Sequence, residues 1–204
     1  MNKDRIIIAV QKKGRLSDAS MAFLKSLGIE FAPNENYYIQ KCKDRNIDLL
    51  LLRDDDIPLY VNRGIADFAI IGENIKIESG FDVEVIREFD FAKCSLVIAV
   101  PKNSPIKKPS DLEGERIATS YPQLLKNYLA KNNINATIIP IAGSVEISPE
   151  LNLADAICDI TQTGETLKAH GLKPIITILE SKALLITNDV VKNWKQATRE
   201  LLLK

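Results

Sequence analysis

Histidine is almost missing from this chain of 204 residues and cysteine is sparse, with His170 standing alone beside Cys42, Cys94 and Cys158. A single imidazole argues against a zinc cluster and against a Ser-His-Asp hydrolase. His170 precedes Gly171 at an expected helix end, where a helix-dipole role accounts for it. The cysteines are odd in number, widely spaced and set in or beside apolar runs, so they read as reduced structural thiols. An excess of one charge is absent too: 27 basic side chains face 27 acidic ones. That balance points away from nucleic acid as a partner, and any anion must be bound locally. No apolar run approaches membrane-spanning length, and the run ending at Val10 is too short for a signal-peptide core with its cleavage site. The expectation is a cytoplasmic protein with no membrane partner. Internal repeats, low-complexity tracts and a glycine-lysine-hydroxyl triplet at Walker spacing are all lacking.

What is present is a core-forming chain, 46% hydrophobic, long enough to bury roughly 70% of its unfolded surface. Strand-like apolar runs alternate with amphipathic stretches, which predicts α/β layers around mostly parallel sheets. Strands are predicted over 5–10, 48–52, 67–71, 83–87, 95–100, 116–118, 137–141 and 154–159, with a pair inside 175–187. Helices are predicted to begin near Asp18, Asp55, Glu73, Tyr121, Gly164 and Asp189. The prolines of PKNSPIKKPSDLEG, residues 101–114, mark irregular chain after a strong strand. We expect two lobes, residues 1–90 with 180–204 and residues 91–179, separated by a cleft where a small ligand binds.

The richest stretch is ADAICDITQTGETL, Ala154 to Leu167. It reads as a buried strand that delivers Asp159 to a turn made of Thr161, Gln162, Thr163, Gly164, Glu165, Thr166 and Leu167. Hydroxyls and a glycine at a helix start present N–H groups to an anion, while a neighbouring carboxylate accepts from sugar hydroxyls. Phosphate plus sugar diol describes a phosphoribosyl group. Taken alone, the motif is equally ordinary turn chemistry. Other strand ends carry compatible groups. QKKGRLS supplies Lys13 and Arg15, LRDDDIP supplies Arg53, IAGSVEISP supplies Ser144 and Glu146, and RIATSYP supplies Thr119 and Ser120. A solvated basic turn explains the first and helix capping the last. The three aspartates after Arg53 suit a first helical turn without further purpose. An arginine at a strand end, by contrast, can fork onto pyrophosphate.

KKGRL, LRDDDIP, GIADFAIIGENI, RIATSYP, GSVE and DITQTGETL, in this order, resemble the ATP phosphoribosyltransferase family, which opens histidine biosynthesis. The resemblance runs from the first strand to about Thr187, and Glu146, Asp159, Thr163, Gly164, Thr166 and Leu167 match its signature. Asn152 departs from it, standing where the family has glycine, and asparagine tolerates the left-handed backbone that such a turn needs. The resemblance implies a two-lobed fold like the type II periplasmic binding proteins, with the active site in the cleft. It implies that N1 of the adenine of ATP attacks the anomeric carbon of phosphoribosyl pyrophosphate, with pyrophosphate leaving alongside Mg²⁺. It also places the 5′-phosphate on Thr163 to Leu167 and the ribose hydroxyls on Asp159, with Arg15 and Arg53 on the pyrophosphate and triphosphate and Lys13 in support. Magnesium is held mainly through substrate phosphates, with no metal ligands of the chain's own.

Family members of the long form carry a small C-terminal regulatory domain, which is not expected within these residues. Short forms work with a regulatory subunit resembling histidyl-tRNA synthetase. The wording of the motifs leaves both a short form and a long-form core open. Leu201, Leu202 and Leu203 lead us to expect a helix packed on another lobe or subunit, in a homodimer or larger assembly. Two other classes remain beside the transferase: a sensor of the same fold without chemistry, and a phosphoribosyltransferase for another base.

Overall fold

The computed structural model describes residues 5–31, 38–188 and 196–204. The chain divides into two compact units, Met1–Ala92 with Lys182–Lys204, and Lys93–Ser181. The first begins with β1 (Ile6–Gln11), α1 (Arg15–Ser26), β2 (Ile39–Lys41), β3 (Ile47–Leu52), α2 (Ile57–Asn62), β4 (Phe68–Gly72), α3 (Glu73–Ser79) and β5 (Glu84–Glu88). The second holds β6 (Cys94–Pro101), β7 (Arg116–Thr119), α4 (Pro122–Lys131), β8 (Thr137–Pro140), β9 (Ala156–Thr161), α5 (Glu165–Ala169) and β10 (Leu172–Ser181). The chain then returns to the first unit as β11 (Ala183–Thr187) and α6 (Gln196–Leu202). A helix start near Asp189 lies outside the described residues.

Each unit is built on one sheet, ordered β2-β3-β1-β4-β11-β5 in the first and β10-β6-β9-β7-β8 in the second. The sheets are mixed, not mostly parallel. β3, β1 and β4 run parallel, as do β8, β7 and β9. The remaining pairs are antiparallel, because β2 is a short edge strand folded back on β3, β11 enters between β4 and β5 against both, and β6 lies between β10 and β9 against both. Local composition does not reveal strand direction, since buried strands of either sense read as continuous apolar runs.

In the first unit, Ile6, Ile8 and Val10 of β1, Leu49 of β3, Phe68 and Ile70 of β4 and Leu185 of β11 form one buried core with Leu24 of α1. Leu202 of α6 lies fully buried in that same core, with Leu201 packed against it. The terminal leucines therefore serve the unit's own interior first, and of the three only Leu203 is exposed. Arg87 fastens the helix: its Nη1 donates to the Leu202 carbonyl at 3.0 Å while its guanidinium lies over Phe23 and Phe89. Arg199 adds an ion pair with Glu84 at 2.5 Å.

The second unit packs Val97 and Ala99 of β6, Ala118 of β7, Ile157 of β9 and Leu172 of β10 into a core. Three residues from outside the sheet join it, Val145, Ala154 and Leu167. Among the described residues all three cysteines are free thiols, with Cys42 and Cys158 buried. Burial pushes the Cys94 thiol up, opposed by a hydrogen bond with Ser181. No helix among the described residues is long and apolar enough to cross a membrane.

Candidate active site

The carboxyl ends of parallel strands gather the residues of interest in each unit. In the second unit these ends are Thr119, Pro140 and Thr161. The chain leaving β8 passes Gly143 and Ser144, both with positive φ (133° and 40°), and forms a single 3₁₀ turn over Val145–Ile147. Val145 is drawn into the core, which leaves the next residue, Glu146, half-exposed at the rim. β9 runs buried through Cys158 and then emerges with Asp159, whose Oδ1 accepts the Ile160 N–H at 2.8 Å. Burial holds the Asp159 carboxyl above its ordinary range, the Ile160 N–H opposes this, and the nearby Glu146 carboxylate adds to the rise. The two acids thus stand close enough to feel each other's charge.

The turn after β9 is organised by its own threonines. Thr161 Oγ1 accepts the Gly164 N–H at 3.0 Å and Thr163 Oγ1 accepts the Glu165 N–H at 3.4 Å. Gly164 takes φ 75°, the left-handed geometry that a glycine adopts without penalty. α5 follows, pinned by buried Leu167, while Glu165 and Thr166 remain exposed. The hydroxyls are therefore partly committed to the backbone, the turn chemistry that the sequence pattern offered beside a ligand role. A hydroxyl that accepts from an N–H keeps its own proton to donate outward, and the Thr166 and Leu167 N–H groups have no acceptor inside so short a helix. Leu167 offers a ligand its backbone only. Thr119 and Ser120 are turn residues: Thr119 Oγ1 accepts the Tyr121 N–H at 2.8 Å and Ser120 Oγ donates to the Ile141 carbonyl at 2.8 Å.

In the first unit the carboxyl ends of β1 and β3 are neighbours, with Gln11 opposite Leu52 and the Lys12 N–H donating to the Leu52 carbonyl at 2.8 Å. Lys13 and Arg15 follow the first of these strands and Arg53 the second, all three exposed. Gly14 between the cations has φ 102° and open space where a side chain would stand. The residues predicted for the site thus form two groups: Lys13, Arg15 and Arg53 at the carboxyl ends of the first unit's parallel strands, and Glu146, Asp159 and Thr161 to Leu167 at those of the second. His170 is exposed and closes α5. Missed from the sequence was Lys12, which lies among the cations; Ser144 was named with Glu146, but its left-handed backbone was not legible, since a serine in that geometry leaves no compositional mark.

The model of the family described as HisG, ATP phosphoribosyltransferase, matches residues 53–204. The chain belongs to the ATP phosphoribosyltransferase family. A relative named ATP phosphoribosyltransferase from Maricaulis maris is 43% identical over 188 residues, covering 89% of this chain and 64% of its own length. One from Cytophaga hutchinsonii is 43% identical over 196 residues, covering 96% of this chain and 68% of its own. The chain thus spans about two thirds of the length of these relatives. Among solved structures, the ATP phosphoribosyl transferase (HisG:HisZ) complex from Thermotoga maritima includes a chain 29% identical, with TM-score 0.82, covering 97% of this chain and 96% of that one. The substrate-binding protein of an amino acid ABC transporter matches at 16% identity and TM-score 0.61, over 97% of this chain and 91% of that one, a likeness of fold of the type II periplasmic kind.

Against the family signature, Asn152 takes φ 56°. Its carbonyl accepts from Arg116 Nη1 at 2.9 Å, while Arg116 grips Asp155 through Nε and Nη2 at 2.9 and 2.7 Å. Those hydrogen bonds pull the Asp155 carboxyl below its ordinary range. The left-handed turn survives the loss of glycine because asparagine accepts it. Asn152→Ala is expected to cost about 1 kcal/mol and Asn152→Gly to be close to neutral, read from urea midpoints.

Proposed function

We propose that this chain is the catalytic part of an ATP phosphoribosyltransferase: it transfers the phosphoribosyl group of phosphoribosyl pyrophosphate to N1 of the adenine of ATP and releases pyrophosphate, the first step of histidine biosynthesis. The observation that carries the reading is the meeting of Glu146, Asp159 and the Thr161–Leu167 turn at the carboxyl end of one sheet. An acid for sugar hydroxyls lies directly before a turn of hydroxyls and N–H groups for a phosphate.

In this reaction the N1–C1′ bond forms as the bond from C1′ to the pyrophosphate oxygen breaks, and the electron pair leaves on pyrophosphate. A neutral ring nitrogen needs no strong base, so positioning and charge stabilisation supply most of the rate. In this reading Thr163, Gly164, Thr166 and the Leu167 backbone hold the 5′-phosphate, aided by Thr161, Gln162 and Glu165 of the same turn. Asp159 and Glu146 hold the ribose hydroxyls. Arg15 and Arg53 take charge on the pyrophosphate and triphosphate, and Lys13 assists.

Among the described residues no group of three or more His, Cys, Asp or Glu could hold a metal ion. In this reading magnesium would be held through substrate phosphate oxygens, as suits a small cation that keeps hard oxygen ligands. When bound it neutralises the departing pyrophosphate. We further place the protein in the cytoplasm, as a homodimer or larger, with a regulatory subunit as partner; the solved complex with HisZ supports the last point. The test is pyrophosphate release on mixing the chain with ATP, phosphoribosyl pyrophosphate and Mg²⁺, with and without such a subunit. Release that requires both substrates is the expected result. Binding of either one without release would make the protein a sensor, and release with another base in place of ATP would change its acceptor.

A further inference from the structure

The cationic edge of the first unit also carries an aromatic ring that the transferase reading leaves unused. β2 runs antiparallel to β3, so its leading end returns to the carboxyl end of β3, where the Tyr38 carbonyl accepts the Leu51 N–H at 2.7 Å. Tyr38 is 60% exposed. Lys12 Nζ lies 4.4 Å from the centre of its ring, and the Lys12 backbone is tied to Leu52 at the same strand end. One sheet edge therefore joins a solvent-facing aromatic to the cations Lys12, Lys13, Arg15 and Arg53.

We propose that Tyr38, backed by Lys12, is the platform on which the purine of the acceptor nucleotide stacks, while the neighbouring cations take its phosphates. This rests on the transferase reading for the identity of the nucleotide. The chemistry is that of a planar base joined to a polyphosphate: the base needs an exposed π-face, and the phosphates need fixed cations beside it. The ammonium over the tyrosine engages the negative face of the ring, so the ring is held in place before the base arrives. Tyr38 here is a binding residue that fixes where N1 of the base stands.

The experiment is calorimetric titration of the whole chain with Mg²⁺ and either ATP or inorganic tripolyphosphate, for the parent, Tyr38→Ala and Tyr38→Phe. Loss of a stacked base weakens ATP binding about tenfold in Tyr38→Ala, with recovery in Tyr38→Phe and tripolyphosphate affinity unchanged in all three. ATP binding unaltered in Tyr38→Ala, or ATP and tripolyphosphate weakened equally, overturns the platform, as does a parent chain that takes up no ATP. Pyrophosphate release by the parent reports separately on the transferase reading. A Tyr38-dependent ATP affinity without release keeps the platform and removes the transferase.

Discussion

Asp159→Asn is expected to lower kcat/KM for phosphoribosyl pyrophosphate about a hundredfold while leaving the protein at least as stable at neutral pH. Asparagine keeps the oxygen that accepts the Ile160 N–H but loses the charge that strengthens two bonds from a sugar diol, each worth about 1.5–3 kcal/mol. The stability side follows from proton linkage. The Asp159 carboxyl is held above its ordinary 3.8, first by burial and then by Glu146, so the folded chain binds that proton more tightly than the unfolded one. For an acid raised in this direction, folding loses stability as pH climbs from 3.8 through the raised value, and the load persists at neutral pH. The variant carries no such load. Its Tm should equal or exceed the parent's above that window, with the difference shrinking as the solution is acidified toward 3.8. Unchanged donor kinetics would remove Asp159 from the sugar site. A Tm deficit at neutral pH would show that the carboxylate is structurally required.

Arg53→Ala should slow turnover tenfold to a hundredfold, the range set by one charge-assisted hydrogen bond of about 1.5–3 kcal/mol. Arg53 stands exposed on extended backbone (φ −70°, ψ 143°) between β3 and the 3₁₀ turn Asp54–Asp56. Its removal opens no cavity, so the melting temperature should stay near the parent's. Arg53→Lys should recover only part of the rate, because an ammonium is a point charge and cannot fork onto two phosphate oxygens. Stopped-flow measurement of pyrophosphate release separates this loss from slow product departure, and a parent-like kcat in Arg53→Ala would take the residue out of the mechanism.

Much of this could be read from residues alone, and the exceptions have physical causes. β1, β3, β4, β6 and β9 are apolar runs buried by their neighbours, so their positions were legible to within a residue or two. β2 was not, since Ile-Gln-Lys at a sheet edge buries no face and leaves no pattern. Strand sense was not legible either: β11 is as apolar as β4, and only the return of the chain from the second unit sets its direction. At the candidate site, Asp159 and the threonines were singled out by their order along the chain. The inward bonds of Thr161 and Thr163 were hidden, because the same hydroxyl types serve a backbone turn and an anion equally well. The pairing of Lys12 with the Tyr38 ring was hidden for another reason, as the two belong to separate segments that only the sheet brings together.

The position of β11 has a consequence for synthesis. It lies between β4 and β5 in the first unit's sheet, yet the ribosome delivers it only after every residue of Lys93–Ser181. The nascent chain therefore carries β4 and β5 with facing edges open, and edges of that kind recruit other strands. The second unit is contiguous and can close as it emerges, so the amino-terminal half is made first and finished last.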